Sequence, residues 1–316
     1  MFDFDLPADL SWRVARIPKE DKPGEFRKLT IPNDDLMLVQ NDILQYLYTV
    51  KELWPTIFAH GFVPCRNTST GVARHDRLAD VFVCEDVKDF FDNFPVKRTE
   101  EKMLDVLPCK LVEKMLAACT YKGHLPQGGP CSPWLTNIGM IDADKMISAF
   151  AKKHGFTYTR YADDMTFSQR FDVTGNKPSK SYRFLTEGVD KIMREYMQLR
   201  LNRKKSHVIR LSGSDARQVT GVVIRKDGMG YNAPSKMRRM VRAMLCNLAN
   251  KVYRQHGRYD NDDLYEWHKI IGYVRYFDNL RSYGEGDAAY ADPVIQPKFW
   301  NYLMEVMPVC QLTKSA

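Results

Sequence analysis

Tyr161-Ala162-Asp163-Asp164 is the feature of this 316-residue chain that most limits its fold. Two adjacent aspartates repel each other unless a cation lies between them. Adjacent aspartates occur three times. Asn33-Asp34-Asp35 and Asn261-Asp262-Asp263 each precede a Leu and a helical pattern, so helix capping explains them. Asp163-Asp164 instead separates two β-rich runs with aromatic residues, Thr157 to Tyr161 and Met165 to Ser168. That pattern predicts a strand, a tight turn at Ala162-Asp163-Asp164 and a second strand. A cap has no place there, and the alternatives are a polar hairpin turn or a metal site.

Asp86 strengthens the metal reading. The apolar run Val81-Phe82-Val83-Cys84 predicts a strand that delivers Glu85-Asp86 at its end, followed by Asp89, Phe90 and Phe91. Three carboxylates from two strand ends could hold two Mg²⁺ ions, which take oxygen ligands and leave positions for water or phosphate. Two such ions about 4 Å apart stabilise both the attacking and leaving oxygens of a phosphoryl displacement. Charge points toward a polyanionic partner. The chain holds 47 Lys and Arg against 39 Asp and Glu, a net of +8. Seven of the cations and no acid lie between Gly230 and Arg258, and the rest of the chain is close to neutral.

The remaining pattern is mixed α/β followed by helix. Residues 1–32 predict an entry strand and turn, a hairpin around Lys22-Pro23-Gly24. Helices are expected over about 36–53, 98–118, 132–153 and 183–198, with a strand over 219–223. From about 234 the chain reads as helical to its end, so a boundary is expected near Asp227-Gly228-Met229-Gly230. Seven scattered cysteines without a C-x-x-C spacing argue against a disulfide scaffold or a zinc module. No apolar run approaches the roughly 20 residues of a membrane span. The stretch MFDFDLPADL lacks the basic and apolar regions of a secretory leader, which predicts a cytoplasmic protein.

Together these residues resemble the palm of reverse transcriptases. Tyr-Ala-Asp-Asp on a hairpin has a strand-borne Asp-x-x-Asp-Phe-Phe upstream. Between them, Leu125-Pro126-Gln127-Gly128-Gly129-Pro130-Cys131-Ser132-Pro133 is similar to the family's Leu-Pro-Gln-Gly…Ser-Pro segment. Phe26-Arg27-Lys28-Leu29 resembles the fingers motif, and Leu201-Asn202-Arg203-Lys204-Lys205-Ser206 resembles the lysine motif after the palm helix. Val219-Thr220-Gly221 matches a signature of the retron branch. The motifs follow the family's order over roughly residues 12–225. One segment departs: retron enzymes carry Asn-Ala-x-x-His where this chain reads Gly71-Val72-Ala73-Arg74-His75.

The resemblance implies an α+β fold of right-hand polymerase architecture, with fingers and palm built of antiparallel sheet plus helices and a short α-helical thumb. It implies fingers at 1–75 (with part of 95–130), palm at 76–228 and thumb at 229–316. Asp86, Asp163 and Asp164 would be catalytic and would ligate two Mg²⁺ ions (or Mn²⁺ as a substitute), with the Val87 carbonyl as a further ligand. Arg27 and Lys22 would bind the nucleotide triphosphate, with Lys19 a looser candidate. Gln127 would touch the incoming nucleotide or its template base. Lys205 would protonate the pyrophosphate leaving group, Lys204 fitting the spacing nearly as well. Phe91 would be the steric gate that excludes a 2′-hydroxyl, with Phe90 or Phe94 as the core aromatic. His75 belongs to the segment tied to recognising a cognate structured RNA.

In the expected thumb, Met237, Val241, Met244, Leu248 and Val252 recur at helical spacing and define an apolar face. Lys236, Arg239 and Arg242 lie off it and would track nucleic-acid phosphates. Tyr253, Tyr259, Trp267 and Tyr273 divide between core packing and stacking on bases. The implied activity is RNA-directed DNA polymerisation. A structured noncoding RNA would serve as template and primer and be copied from dNTPs into a short single-stranded DNA. An effector protein encoded nearby and a role in antiphage defence complete the implied setting. The alternatives are a non-retron defence reverse transcriptase, self-priming or template-independent, and a noncatalytic RNA-binding scaffold.

Overall fold

A computed structural model describes residues 4–18, 24–170, 182–210, 217–225, 230–283 and 297–307. The chain divides into two compact units, Met1–Ser212 and Gly213–Ala316. That division falls earlier than the boundary expected near 227–230, where residues 226–229 lie outside the described set.

In the first unit, β1 (Trp12–Pro18) and β2 (Phe26–Pro32) form the expected antiparallel hairpin; Lys19 and Lys22 lie outside the described residues. Asn33 then caps α1 (Asp34–Thr49), its side chain accepting from Leu36 N–H at 2.8 Å. The helix stops before the expected 53 because Val50 turns extended. Short α2 (Thr68–Val72) leads to β3 (Val81–Asp86), α3 (Phe90–Asn93), α4 (Val96–Leu104) and α5 (Cys109–Cys119). One helix was expected over 98–118. Pro108 divides it, since a proline lacks the N–H and clashes with the preceding turn. The helix expected over 132–153 is likewise two, α6 (Ser132–Gly139) and α7 (Ile141–Lys153), with a jog at Met140.

The loop before α6 docks on the hairpin. Thr30 N–H donates to the Gln127 carbonyl at 2.7 Å. Gly128 follows at φ +124°, with no room for a side chain: a Cβ would lie 2.7 Å from the Thr30 carbonyl oxygen. The loop sequence thus places Gly where the backbone must pass closely in a left-handed conformation.

β4 (Thr157–Tyr161), β5 (Asp164–Gln169), α8 (Arg183–Met197) and β6 (His207–Arg210) complete an antiparallel sheet of order β4-β5-β3-β6. Alternation divides its faces. Val81, Val83, Tyr158, Met165 and Phe167 join the core with Trp134, Ile138, Ile147, Val189 and Met193 of α6, α7 and α8. The opposite face carries Thr159, Thr166, Ser168 and, at the strand ends, Asp86 and Asp164.

The second unit has a three-stranded antiparallel sheet, β7 (Gln218–Val219), β8 (Val222–Ile224) and β9 (Tyr231–Asn232). Helices α9 (Ser235–Arg254), α10 (Asn261–Ser282) and α11 (Pro297–Val306) follow. Val241, Leu248 and Val252 of the expected apolar face are buried, joined by Leu245 and Ala249, while Met237 and Met244 are half-buried. Trp267 is core, whereas Tyr253 is exposed. Asp260, one residue earlier than expected, caps α10 in a reciprocal box with Asp263.

Helix α8 passes α7 at Gly188, where an added Cβ would lie 2.1 Å from the Phe150 ring. Gly188→Ala should therefore lower the melting temperature, although alanine is the better helix former by about 1 kcal/mol. Overpacking of this kind costs about 1–3 kcal/mol. Thermal unfolding of the variant checks it, and a rise in melting temperature would contradict this packing.

Candidate active site

Sheet register builds the site. β3 and β5 pair with Asp86 opposite Asp164, and β4 and β5 pair with Tyr161 opposite Asp164. Only Ala162 and Asp163 connect β4 to β5. Ala162 has φ +54°, a conformation that favours glycine at the first central position of a tight hairpin turn. The Val87 N–H donates to the Asp163 carbonyl at 3.1 Å, and the Asn202 N–H donates to the Asp86 carbonyl at 2.7 Å. The three aspartates expected from the sequence are thus brought to one end of the sheet from two strands and a turn.

Their charges interact. Burial, and after it the Asp86 charge, hold the Asp163 carboxyl above its ordinary range, while Lys205 and Arg27 act in the opposite sense. Enclosure by protein, then the Asp163 and Asp86 charges, push Asp164 up to about 6. Asp86 itself is 6% exposed and accepts from Lys205 Nζ at 2.7 Å. That bond, with help from the other two aspartates, raises the Lys205 pKa and keeps its ammonium charged. Of the two candidate lysines, Lys205 is the one that reaches Asp86. Neighbouring Cys84 has its thiol pushed up to about 12 by burial and then by Asp164 and Glu85, so it stays protonated.

Among the described residues, no three His, Cys, Asp or Glu side chains are gathered into a formed metal shell. The chemistry of the donor set nevertheless suits a hard divalent cation. All three donors are carboxylates, they repel one another, and an ammonium already neutralises one of them.

Other expected residues fall around this centre. Arg27 is exposed on β2, within electrostatic reach of Asp163. Gln127 is half-buried in the loop docked on β2. Phe91 is half-buried, its ring edge-on to Phe90 at 5.5 Å, while Phe90 and Phe94 are both buried. Val87 is buried beside Asp86. Lys236, Arg239 and Arg242 are exposed on α9 in the second unit. His75 corrects its expectation. It is buried, with Nδ1 2.7 Å from Ser168 Oγ and Nε2 2.8 Å from Thr159 Oγ1. Burial, and then the charges of His60 and Arg74, lower its pKa to about 3. A neutral ring with both nitrogens occupied bolts β4 to β5 and presents nothing to a nucleic acid.

Two buried polar groups were not anticipated. Arg160 and Asp144 form an ion pair with both side chains 0% exposed, through Nε–Oδ1 and Nη2–Oδ2 bonds of 2.8 Å each. Tyr158 OH donates to the same carboxylate at 2.8 Å. Burial alone would lower the Arg160 pKa, but Asp144 more than reverses this and raises it. Glu85, behind Asp86, accepts from Thr186 Oγ1 at 2.5 Å and from Ser206 Oγ. A signal for the ion pair was available: Arg160 and Asp144 are opposite charges on otherwise apolar faces, one of β4 and one of α7.

The fold is of the α+β polymerase type, and the chain belongs to the reverse transcriptase (RNA-dependent DNA polymerase) family, whose profile matches residues 17–224. Within that family its curated relatives include retron reverse transcriptases. It is 33% identical to the retron Mx162 reverse transcriptase of Myxococcus xanthus over 272 residues, 79% of this chain and 54% of that protein. It is 27% identical to the retron Ec86 reverse transcriptase of Escherichia coli, covering 79% of this chain and 75% of that protein. The chain spans little more than half the length of the two Myxococcus relatives, 54% and 60%. Among solved structures, the apo telomerase from Candida tropicalis superposes with a TM-score of 0.50 at 13% identity, over 79% of this chain and 52% of that one. The likeness is one of fold, the α+β polymerase type.

Asp164 gives a pH signature in metal-free protein. Its folded pKa of about 6 lies above the ordinary carboxylate value of about 4. The stability this confers is present below pH 4 and is lost as pH rises through 6. Asp164→Asn, permanently neutral, should melt higher than wild type in chelator at pH 8. The gap should close as pH falls from 6 to 4. Solvent at the exposed tip of Asp164 screens part of the effect. A gap constant with pH would refute the assignment.

Proposed function

We propose that this chain is an RNA-directed DNA polymerase of the retron type. It copies a structured noncoding RNA from dNTPs into a short single-stranded DNA. The observation that carries this reading is the meeting of Asp86, Asp163 and Asp164 at one sheet end within a chain of the reverse transcriptase family. The similarity to retron enzymes of Myxococcus and Escherichia favours that branch. The setting that follows is cytoplasmic antiphage defence, with an effector protein encoded nearby. No helix among the described residues is long and apolar enough to cross a membrane.

In this reading, residues 1–75 with part of 95–130 act as fingers, 76–228 as palm and 229–316 as thumb. Asp86, Asp163, Asp164 and the Val87 carbonyl hold two Mg²⁺ ions, or Mn²⁺ in their place. Bound there, such ions supply charge neutralisation on the triphosphate and activation of the primer hydroxyl. The chain's own groups do the rest. Arg27, planar and always charged, pairs with phosphate oxygens. Gln127 orients the incoming nucleotide or its template base. The Phe91 ring occupies the space a 2′-hydroxyl would need. Lys205 holds a proton at Nζ beside Asp86, ready for the departing pyrophosphate. Lys236, Arg239 and Arg242 bind phosphates of the template–primer duplex.

Two experiments test this. Asp163→Ala with Asp164→Ala should abolish DNA synthesis on a primed RNA template and leave the protein folded, because removing the pair relieves its repulsion. Residual synthesis by the double variant would sink the assignment. Lys236→Ala, Arg239→Ala and Arg242→Ala together should flatten the log–log dependence of RNA affinity on salt by roughly 2 to 3. An unchanged slope would mean that the RNA runs over another surface.

A further inference from the structure

We propose that Arg160 and Gly61 are positioning residues that clamp the Ala162–Asp163 turn from two sides and so place the two aspartates; this rests on the polymerase reading above. β4 lies at an edge of its sheet, and edges are adaptable unless covered. Here the edge is covered. The Arg160 N–H donates to the Phe58 carbonyl at 2.7 Å, and the His60 N–H donates to the Arg160 carbonyl at 2.8 Å.

The turn beyond this edge needs holding. Ala162 sits at φ +54°, which an L-residue adopts at a cost and keeps only where its surroundings impose it. Arg160 imposes it from one side. Its Nε and Nη2 engage both Asp144 oxygens, and its Nη1 donates to the Ala162 carbonyl at 3.0 Å. A buried ion pair is poor evidence of a stabilising role, because apolar replacements of similar volume often do as well. What an apolar residue cannot do is donate to the turn. The fork of a guanidinium, held rigid by Asp144, can serve the carboxylate and the carbonyl together.

Gly61 imposes it from the other side. It is buried, and a Cβ there would lie 2.7 Å from the Ala162 nitrogen and 3.2 Å from the Tyr161 carbonyl carbon. Its own carbonyl is held by buried Asn137, whose Nδ2 donates at 2.9 Å. The backbone at Gly61 is thus a flat wall, fixed from behind, against which the turn rests. The turn is thus met at its Ala162 carbonyl by Arg160 and at its Ala162 nitrogen by the Gly61 backbone.

Arg160→Lys and Gly61→Ala, made in the full chain, test the clamp. Lysine keeps the charge opposite Asp144 but cannot reach both partners at once; Gly61→Ala leaves the ion pair intact and displaces the turn. For each we would measure thermal unfolding, RNA affinity, Mn²⁺ affinity by electron paramagnetic resonance, and dNTP kinetics. The clamp predicts folded variants with RNA affinity and dNTP KM nearly unchanged. Mn²⁺ affinity should fall about tenfold, as for lost outer-sphere support of a metal site, and kcat about a hundredfold, as for a small misplacement of reacting groups. Folded variants with wild-type Mn²⁺ affinity and kcat would overturn the proposal. So would losses of RNA affinity and melting temperature that account for the fall in kcat, since those mark a merely structural role. Should Arg160→Lys fail to fold, Gly61→Ala decides. If the wild type makes no DNA, the polymerase reading fails on its own, and the Mn²⁺ affinities of the variants still decide the clamp.

Discussion

Antiparallel pairing of β3 with β5, in the register that sets Asp86 opposite Asp164, is the constraint on which the first unit depends. Side chains alternate along a strand, so a slip by one residue would exchange the two faces. Val83, Met165 and Phe167 would leave the helices, and Asp164 would turn toward the apolar core. The hydrophobic demand of α6, α7 and α8 therefore fixes where the carboxylates emerge. Burial of one face and presentation of the other are a single event.

Having been brought together, the carboxylates must be tolerated. The charge of Asp86 raises the proton affinity of Asp163, and both charges raise that of Asp164. Lys205 binds Asp86 directly, and Arg27 acts on Asp163 from β2. Neither removes the repulsion. A fully buried ion pair lies nearby, Asp144 with Arg160, and it is tied to the turn that carries Asp163. His75 adds a second buried connection, across β4 and β5. A site that opposes its own assembly is held by polar bonds that are themselves withdrawn from water, where they are strong and directional.

The second unit follows a simpler logic. Leu245, Leu248, Ala249 and Val252 on α9 pack with Trp267, Ile270 and Val274 on α10. The charge of α9 is left on its remaining surface, where Lys236, Arg239 and Arg242 are exposed. The reciprocal cap of Asp260 and Asp263, with Lys251 Nζ 2.5 Å from Asp263, fixes the start of α10. Acids that look like a cluster in the sequence are here consumed by capping, unlike Asp163 and Asp164.

Much of this was legible in the sequence. A two-period of apolar residues around Asp163-Asp164 can only be a hairpin with acids at its tip. A 3.6-period in α9 can only bury one face, and glycine in Leu-Pro-Gln-Gly marks a close backbone passage. Those features are local, and local chemistry decides them. The break at Pro108 is equally local, since a proline ends the helix before it. What the sequence alone could not decide is which distant groups would meet. That Lys205 rather than Lys204 reaches Asp86, that His75 is inside rather than outside, and that Asp144 holds Arg160 all depend on chain segments separated by 16 to 119 positions. Such meetings are set by how the helices close over the sheet, a balance of packing that no single stretch of sequence contains. The residues of the site were written in the sequence; the contacts that hold them exist only in the fold.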